Sequence, residues 1–171
     1  MPGTDPLYYW DACLFLAWLK DEARPTGEMD GVREVVERSR KRECRIITSV
    51  LTSVEVLSAK MPAGVEHLFT GLMRRVHRQG IDTKIAQLAH DLRNHYAKAG
   101  GKGLSTPDAL HLATAVLYRA DEFHTFDAEG RAKTLGLIPL SGNVAGHRLT
   151  ICKPEARSPS LDLRKPPDDK K

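Results

Sequence analysis

Short hydrophobic segments alternate with helix-like segments along this 171-residue chain, and this alternation limits its fold more than any other feature. The brief aromatic or β-branched runs that predict buried strands are residues 7–10, 45–48 and 122–126. The helices expected from apolar residues at helical spacing cover residues 12–24, 27–43, 54–61, 64–77, 83–99 and 105–120. Because parallel strands are joined by crossover helices, the pattern predicts an α/β domain with a largely parallel sheet flanked by helices.

Two further segments complete the expected sheet. Gly80-Ile81-Asp82 lies between two helices and predicts a short edge strand, and residues 128–140 predict a final helix-and-strand unit. After Ile151 the composition changes to proline, serine and mixed charges, which cannot bury enough apolar surface to become ordered alone. We therefore expect one domain over residues 1–150 and a flexible polar tail over residues 151–171.

Four acidic residues lie where a predicted strand gives way to a helix or loop: Asp11, Glu55, Asp108 and Asp127. The carboxyl ends of parallel strands meet at one edge of a sheet, so these carboxylates are expected to lie close together. Clustered carboxylates repel one another unless protons or cations compensate them. Oxygen ligands suit Mg²⁺ or Mn²⁺, and such ions promote phosphodiester hydrolysis. The sequence therefore predicts a divalent-metal site for phosphodiester chemistry.

Each acid, taken alone, also has a structural explanation. Thr52 with Glu55 matches a helix capping box, and Ser105 with Asp108 matches its aspartate variant. Asp127 would suit a turn after a strand. Capping does not require all four acids to fall at equivalent edges of one sheet, so the shared position favours the metal site.

The bulk composition is that of a globular protein with a mildly basic balance. The net charge is +4 and the pI about 9.0, which permits a nucleic-acid partner without identifying one. The three cysteines include no CxxC pair, so neither a disulfide framework nor a cysteine-rich zinc site is expected. No signal-like or membrane-spanning segment stands out, which predicts a cytoplasmic protein without a membrane partner.

The four acidic segments resemble those of the PIN-domain ribonucleases over about residues 7–140. The matching pieces are Tyr8-Tyr9-Trp10-Asp11, residues 48–57 around Glu55, the helix Asp108-Ala109-Leu110-His111-Leu112-Ala113, and Thr125-Phe126-Asp127. The resemblance implies a three-layer fold with a five-stranded sheet of order 3-2-1-4-5. It also implies a Mg²⁺- or Mn²⁺-dependent endoribonuclease.

The resemblance extends to partners and to individual residues. Many prokaryotic members are VapC-type toxins, which implies a small antitoxin partner and a homodimer. The family pattern makes Asp11, Glu55, Asp108 and Asp127 metal ligands and gives Thr125 a supporting hydrogen bond. Cys13 departs from the Asn or Ser common two positions after the first aspartate, and a thiol is a weaker hydrogen-bonding group than either.

Other charged groups leave alternatives open. The basic run is a candidate for holding the RNA backbone near the site, or a solvated helix end; it comprises Arg38, Arg40, Lys41, Arg42 and Arg45. Asp108, His111, His124 and Asp127 could instead form a histidine–carboxylate metal site of a different hydrolase. A third alternative is a PIN-like module that binds RNA or protein without cleaving it.

Overall fold

The computed structural model describes residues 5–25, 27–98 and 101–157. In this part of the chain, five strands form one parallel sheet in the order β3-β2-β1-β4-β5. The strands are β1 Leu7–Trp10, β2 Arg45–Ser49, β3 His77–Gln79, β4 Glu122–His124 and β5 Thr150–Cys152. The expected α/β class, the parallel sheet and the strand order are confirmed.

Six α-helices of the described residues flank the sheet. They are α1 Ala12–Lys20, α2 Glu28–Arg40, α3 Thr52–Glu55, α4 Glu66–Met73, α5 Thr83–Lys98 and α6 Thr106–Leu117. Short 3-10 turns cover Ser58–Lys60 and Ile138–Leu140. Among the described residues, no helix has both the length and the apolar character that a membrane span would need.

Neighbouring side chains of β1 point to opposite faces of the sheet and build two cores. Tyr8 and Trp10 pack with α1, α2 and α4 on one face. Tyr9, between them, packs with α5 and α6 on the other face. This alternation follows from the two-residue period of a strand, and it gives the three layers that the sequence predicted.

The edge strand β3 lies three residues earlier than expected. Residues 77–79 (His-Arg-Gln) pair with β2, whereas Gly80-Ile81-Asp82 is irregular. The side chain of Asp82 accepts a hydrogen bond from the Ile85 N–H, 2.9 Å away, within the first turn of α5. An edge strand can be polar because its side chains are largely exposed, so hydrophobicity does not reveal it.

The expected helix-and-strand unit at residues 128–140 is wrong. This segment forms a tight loop in which Arg131 and Thr134 exchange backbone hydrogen bonds, followed by the 3-10 turn at Ile138–Leu140. Gly130 has a φ of +70°, and a Cβ there would lie 2.3 Å from the carbonyl oxygen of Thr134. The fifth strand comes later, at residues 150–152.

The described chain continues past the expected domain boundary at residue 150, which falls within β5. Lys153 forms an ion pair with Glu28, and the Arg157 N–H donates to the Glu34 carboxylate at 2.9 Å. Residues 153–157 therefore run along α2. The rest of the expected tail, residues 158–171, lies outside the described residues.

Candidate functional site

All four predicted acids line one cleft of about 640 Å³ at the carboxyl edge of the sheet; they are Asp11, Glu55, Asp108 and Asp127. Asp11 follows β1, and Asp127 lies three residues beyond β4. Glu55 ends α3, and Asp108 lies in the first turn of α6. The chain returns to this edge after each of these strands, so residues 116 positions apart in sequence share one cleft.

Asp11 is almost fully buried and is held by three donors. Its Oδ1 accepts from the backbone N–H groups of Cys13 (3.0 Å) and Leu14 (3.4 Å), so it caps α1. Its Oδ2 accepts from the Thr125 hydroxyl at 2.6 Å. Burial raises the pKa of Asp11, and these hydrogen bonds act in the opposite direction. The carboxylate is thus fixed in orientation while its ionised form is costly.

Cys13 joins α1 to the segment that carries Asp127. Its Sγ accepts from the Phe126 N–H at 3.4 Å and lies 3.6 Å from the Thr125 Oγ1. Burial raises the pKa of the thiol well above its ordinary value, as does the charge of Asp11. The uncommon residue at this position therefore still makes a contact beside the site, through sulfur.

Thr125 connects the first acid to the last. Its Oγ1 donates to Asp11 and accepts from the Asp127 N–H at 3.0 Å. The Asp127 carboxylate in turn accepts from the Gly130 N–H at 2.9 Å, which ties it to the following loop. The structure thus brings Thr125 between two predicted ligands, and its supporting role remains a prediction.

Asp108 lies beside its own helix cap. The Ser105 Oγ accepts from the Asp108 N–H at 3.1 Å and lies 2.5 Å from the Asp108 Oδ2. Burial is the main cause that raises the pKa of Asp108, and the charges of Asp127 and Glu55 raise it further. These three carboxylates therefore repel one another across the cleft.

Glu55 is not held as a helix cap. The first turn of α3 begins after Leu51 and has no side-chain cap, so the capping box expected from Thr52 and Glu55 is absent. The Glu55 Oε2 instead lies 2.7 Å from the His111 Nε2. The acid that sequence explained most easily as structural is fixed by a residue of another helix, pointing into the cleft.

A buried hydrogen-bond chain stands behind this contact. The Ser49 N–H can only donate, and it donates to the Tyr9 hydroxyl oxygen at 3.0 Å. The Tyr9 O–H is then free to donate to the His111 Nδ1, 2.6 Å away. This leaves the proton of a neutral His111 on Nε2, facing Glu55. Burial raises the pKa of Tyr9, which keeps its hydroxyl protonated as the chain requires.

The donor set fits a hard divalent cation. The four acids offer carboxylate oxygens to this cleft, and Mg²⁺ and Mn²⁺ prefer such ligands. Arg24, Lys60 and Arg131 also line the cleft, yet among the described residues none of them forms an ion pair with the four acids. These three side chains therefore do not neutralise the carboxylates by direct pairing, and a bound metal would relieve the repulsion among them.

The histidine–carboxylate alternative is wrong because the two histidines lie on opposite faces of the sheet. The ring of His124 stacks on Tyr8, with 4.7 Å between centroids, whereas His111 contacts Tyr9. Only His111 lines the acidic cleft.

His124 instead belongs to a second group of metal-ligand types with Glu122 and Cys152, whose ligand atoms lie within 4.8 Å of one another. The Trp10 Nε1–H donates to the His124 Nδ1 at 3.1 Å, so Nε2 carries the ring proton and donates to Glu122 at 2.7 Å. In this tautomer the Nε2 atom has no free lone pair for a metal. This hydrogen bond is also the main cause that lowers the pKa of Glu122.

The predicted basic run does not line the acidic cleft; its members are Arg38, Arg40, Lys41, Arg42 and Arg45. Arg45 begins β2, at the opposite end of the strand from the acids. Arg38 is buried and donates to the Tyr8 hydroxyl at 3.2 Å. An RNA-binding role for this run at the acidic site has no geometric support.

Sequence reasoning missed the cleft's own cations and its aromatic wall. Arg24 and Arg131 come from two separate loops, Lys60 ends the 3-10 turn Ser58–Lys60, and Phe126 precedes Asp127. No charge run or periodicity marks the three cations in the sequence. Phe126 was visible as part of Thr125-Phe126-Asp127, but its ring could not be placed without the fold.

The fold and the cleft together define an α/β protein with clustered carboxylates at the carboxyl edge of a parallel 3-2-1-4-5 sheet. The PIN domain model matches residues 8–133. This match covers most of the chain, so the protein belongs to the PIN-domain family. A search of curated protein sequences found no match.

Solved structures share this fold at low sequence identity. A toxin–antitoxin complex from Klebsiella pneumoniae has 22% identity and a TM-score of 0.51, covering 69% of this chain and 84% of its own. VapBC2 from Rickettsia felis, bound to a promoter DNA fragment, has 12% identity and a TM-score of 0.60, covering 85% and 98%. FitAcB from Neisseria gonorrhoeae has 17% identity and a TM-score of 0.52, covering 70% and 87%.

Proposed function

We propose that this protein is an endoribonuclease that uses Mg²⁺ or Mn²⁺ to hydrolyse RNA phosphodiester bonds. The observation that carries the proposal is that four carboxylate side chains line one cleft: Asp11, Glu55, Asp108 and Asp127. These four carboxylates would hold the cation. When bound, the cation would lower the pKa of a water and neutralise charge on the phosphodiester.

The protein's own groups would orient the reaction. Thr125 holds one oxygen of Asp11, and His111 holds one oxygen of Glu55, so both carboxylates keep a fixed direction. Lys60 and Arg131 lie at the cleft with no ion-pair partner among the described residues, and they would bind the phosphates on either side of the cleaved bond.

The test is cleavage of RNA by the purified protein with Mg²⁺, Mn²⁺ or a chelator. We expect metal-dependent products with 5′-phosphate ends and a loss of at least about 100-fold in rate for Asp11→Asn and Asp127→Asn. Asp91→Asn, on the exposed face of α5, is the matched control and should cleave like the wild type. If no RNA is cut in any metal, the non-catalytic binding module becomes the better explanation.

We further propose that the protein is the toxin of a toxin–antitoxin pair, acting as a homodimer. The support is the shared fold with proteins solved as toxin–antitoxin complexes. Expression should arrest growth, and co-expression of a small neighbouring gene should relieve the arrest. Normal growth with fully active protein would exclude the toxin role while leaving the ribonuclease proposal intact. Sedimentation of the purified protein would test the dimer.

A further inference from the structure

We propose that Arg24 and Phe126 form a stacking platform for an unpaired RNA base next to the bond that is cut. This inference rests on the proposed ribonuclease function and names the part of the substrate that this wall of the cleft recognises. It concerns a base rather than a phosphate. The distinction follows from how the guanidinium group of Arg24 is held.

One edge of the Arg24 guanidinium is already hydrogen-bonded, and a second acid lies near its Nη1. Its Nε and Nη2 donate to the same Glu22 oxygen at 3.1 and 2.7 Å, and its Nη1 lies 3.8 Å from the Glu28 carboxylate. The two hydrogen bonds to Glu22 fix its plane, and both carboxylates compensate part of its charge. A phosphate would have to compete with both, so Arg24 is poorly suited to binding the RNA backbone.

The two flat faces of the guanidinium make no ion pairs with the described residues, unlike its edges. One face covers the ring of Phe126, with 3.8 Å from the Arg24 Cζ to the ring centroid. Arg24 nevertheless lines the cleft, and 26% of its side chain remains exposed. The guanidinium of Arg24 therefore offers a flat surface whose orientation is fixed before RNA binds. Unpaired RNA bases stack on guanidinium planes and on aromatic rings of this kind.

Other side chains of the cleft suit the remaining parts of an RNA strand, its phosphates and its bases. Lys60 and Arg131 are the cleft cations without ion-pair partners in the described chain, and they suit phosphates. The cleft is also lined by two exposed apolar side chains, Val54 at 67% and Leu57 at 49%. Exposed apolar surface beside a charged site is costly in water and suits the face of a base.

The platform lies next to two of the four acids, through the backbone of Phe126. Phe126 directly precedes Asp127, and its backbone N–H is held by the Cys13 sulfur two residues from Asp11. A base stacked there would belong to a nucleotide adjacent to the phosphate over the four acids. The platform would then select for RNA that is unpaired at this nucleotide.

The experiment compares a short unstructured RNA, whose cleavage position is mapped first, with the same RNA carrying one abasic nucleotide on either side of that position. Binding is measured by fluorescence anisotropy in a chelator, and cleavage is measured in parallel with Mn²⁺. For the wild type, we expect one abasic RNA to bind about 5- to 150-fold more weakly, which corresponds to the usual contribution of one stacked base.

Arg24→Lys keeps the charge and removes the plane. We expect it to weaken binding of the intact RNA by about fivefold or more, and to bind the abasic RNA no more weakly than the intact one. Phe126→Leu, which removes the ring under the guanidinium, should show the same pattern. Arg33→Lys is the matched control, because Arg33 also pairs with two acids, Asp21 and Asp30, away from the cleft.

The outcomes separate the two proposals. If Arg24→Lys and the abasic RNAs bind like their parents while cleavage continues, the platform is overturned and the ribonuclease stands. The platform is also overturned if Arg24→Lys weakens binding but leaves the abasic penalty unchanged, since Arg24 would then act on another part of the RNA. If the wild type cleaves no RNA in any metal, the ribonuclease proposal fails, and the platform fails with it.

Discussion

The Asp108 carboxyl group costs the fold free energy when it ionises. Burial, together with the charges of Asp127 and Glu55, raises its pKa above the ordinary 3.8. The folded protein therefore holds this proton more tightly than the unfolded chain does. The contribution of Asp108 to the free energy of unfolding is therefore most favourable below pH 3.8. This contribution is lost as the pH rises through the higher pKa of the folded state.

We expect Asp108→Asn to stabilise the metal-free protein at pH 7, because the amide is neutral and keeps an acceptor for the Ser105 hydroxyl. Relief of about 1 kcal/mol would raise the melting temperature by about 2–4 °C for a chain of this size. The gain should shrink towards pH 4, where the wild-type carboxyl is itself increasingly protonated. Thermal unfolding in a chelator at pH 4, 5 and 7 measures it.

The control for this prediction is Asp91→Asn, whose side chain is exposed on α5. It should leave the melting temperature nearly unchanged at every pH. A gain for Asp108→Asn that is equal at pH 4 and pH 7 would contradict the electrostatic cause and would point to improved packing or capping instead.

At the residue scale, the sequence was informative about the acids and silent about the groups around them. Strand ends and helix starts can be read from apolar runs and from prolines, so Asp11 and Asp108 could be placed at one edge. Arg24 lies in a loop and contacts Phe126, 102 residues later in the sequence, only in the folded chain. Such a contact leaves no local pattern in the sequence.

At the scale of elements, the central strands were predictable and the edge strands were not. β1, β2 and β4 are buried or nearly so, and their hydrophobic runs identify them. β3 is polar because it has one neighbouring strand and exposed side chains. β5 has a single buried residue, Ile151, next to a segment that reads as a polar tail. The hydrophobic run that identifies a strand in the sequence comes from the burial of its side chains, and not from strand formation itself.

Helix α3 depends on its neighbours for the position of Glu55. It has four residues and no side-chain cap, which is too short to be stable alone. The chain from Ser49 through Tyr9 to His111 connects β2, β1 and α6 to Glu55. The end of a marginal helix is thus fixed by the sheet and by a longer helix.

We expect Tyr9→Phe to lower the free energy of unfolding by about 1–3 kcal/mol, because the buried Ser49 N–H loses its acceptor. It should also weaken Mn²⁺ binding several-fold, because His111 is no longer fixed behind Glu55. Urea unfolding and a calorimetric Mn²⁺ titration measure the two effects separately.

Tyr96→Phe is the matched control for Tyr9→Phe. The Tyr96 hydroxyl accepts from the Ala145 N–H at 3.1 Å, so its removal also costs a backbone hydrogen bond, but away from the cleft. It should reduce stability without changing Mn²⁺ affinity. Equal losses of affinity in both variants would show that Tyr9 acts through general stability, not through Glu55.

At the scale of the whole molecule, the segment after β5 completes the packing of α2. A Cβ added at Gly31 would lie 1.9 Å from the carbonyl oxygen of Pro154, so the backbone of residue 154 lies directly on the helix. Lys153 and Arg157 bind Glu28 and Glu34 on either side of this contact. The need for glycine at position 31 therefore comes from a part of the chain more than 120 residues away in the sequence.

This arrangement predicts that Gly31→Ala destabilises the full chain but stabilises a chain without the segment after β5. In the full chain, we expect Gly31→Ala to destabilise the fold by about 1–3 kcal/mol, because the new methyl group must displace the segment at Pro154. In a chain that ends at Cys152, nothing opposes the methyl group, and alanine should stabilise α2 by up to about 1 kcal/mol through its higher helix propensity. Urea unfolding of the full and the shortened chain, each with and without Gly31→Ala, completes a double-mutant cycle. If Gly31→Ala destabilises both chains equally, the glycine serves α2 alone and residues 153–157 add nothing to its environment.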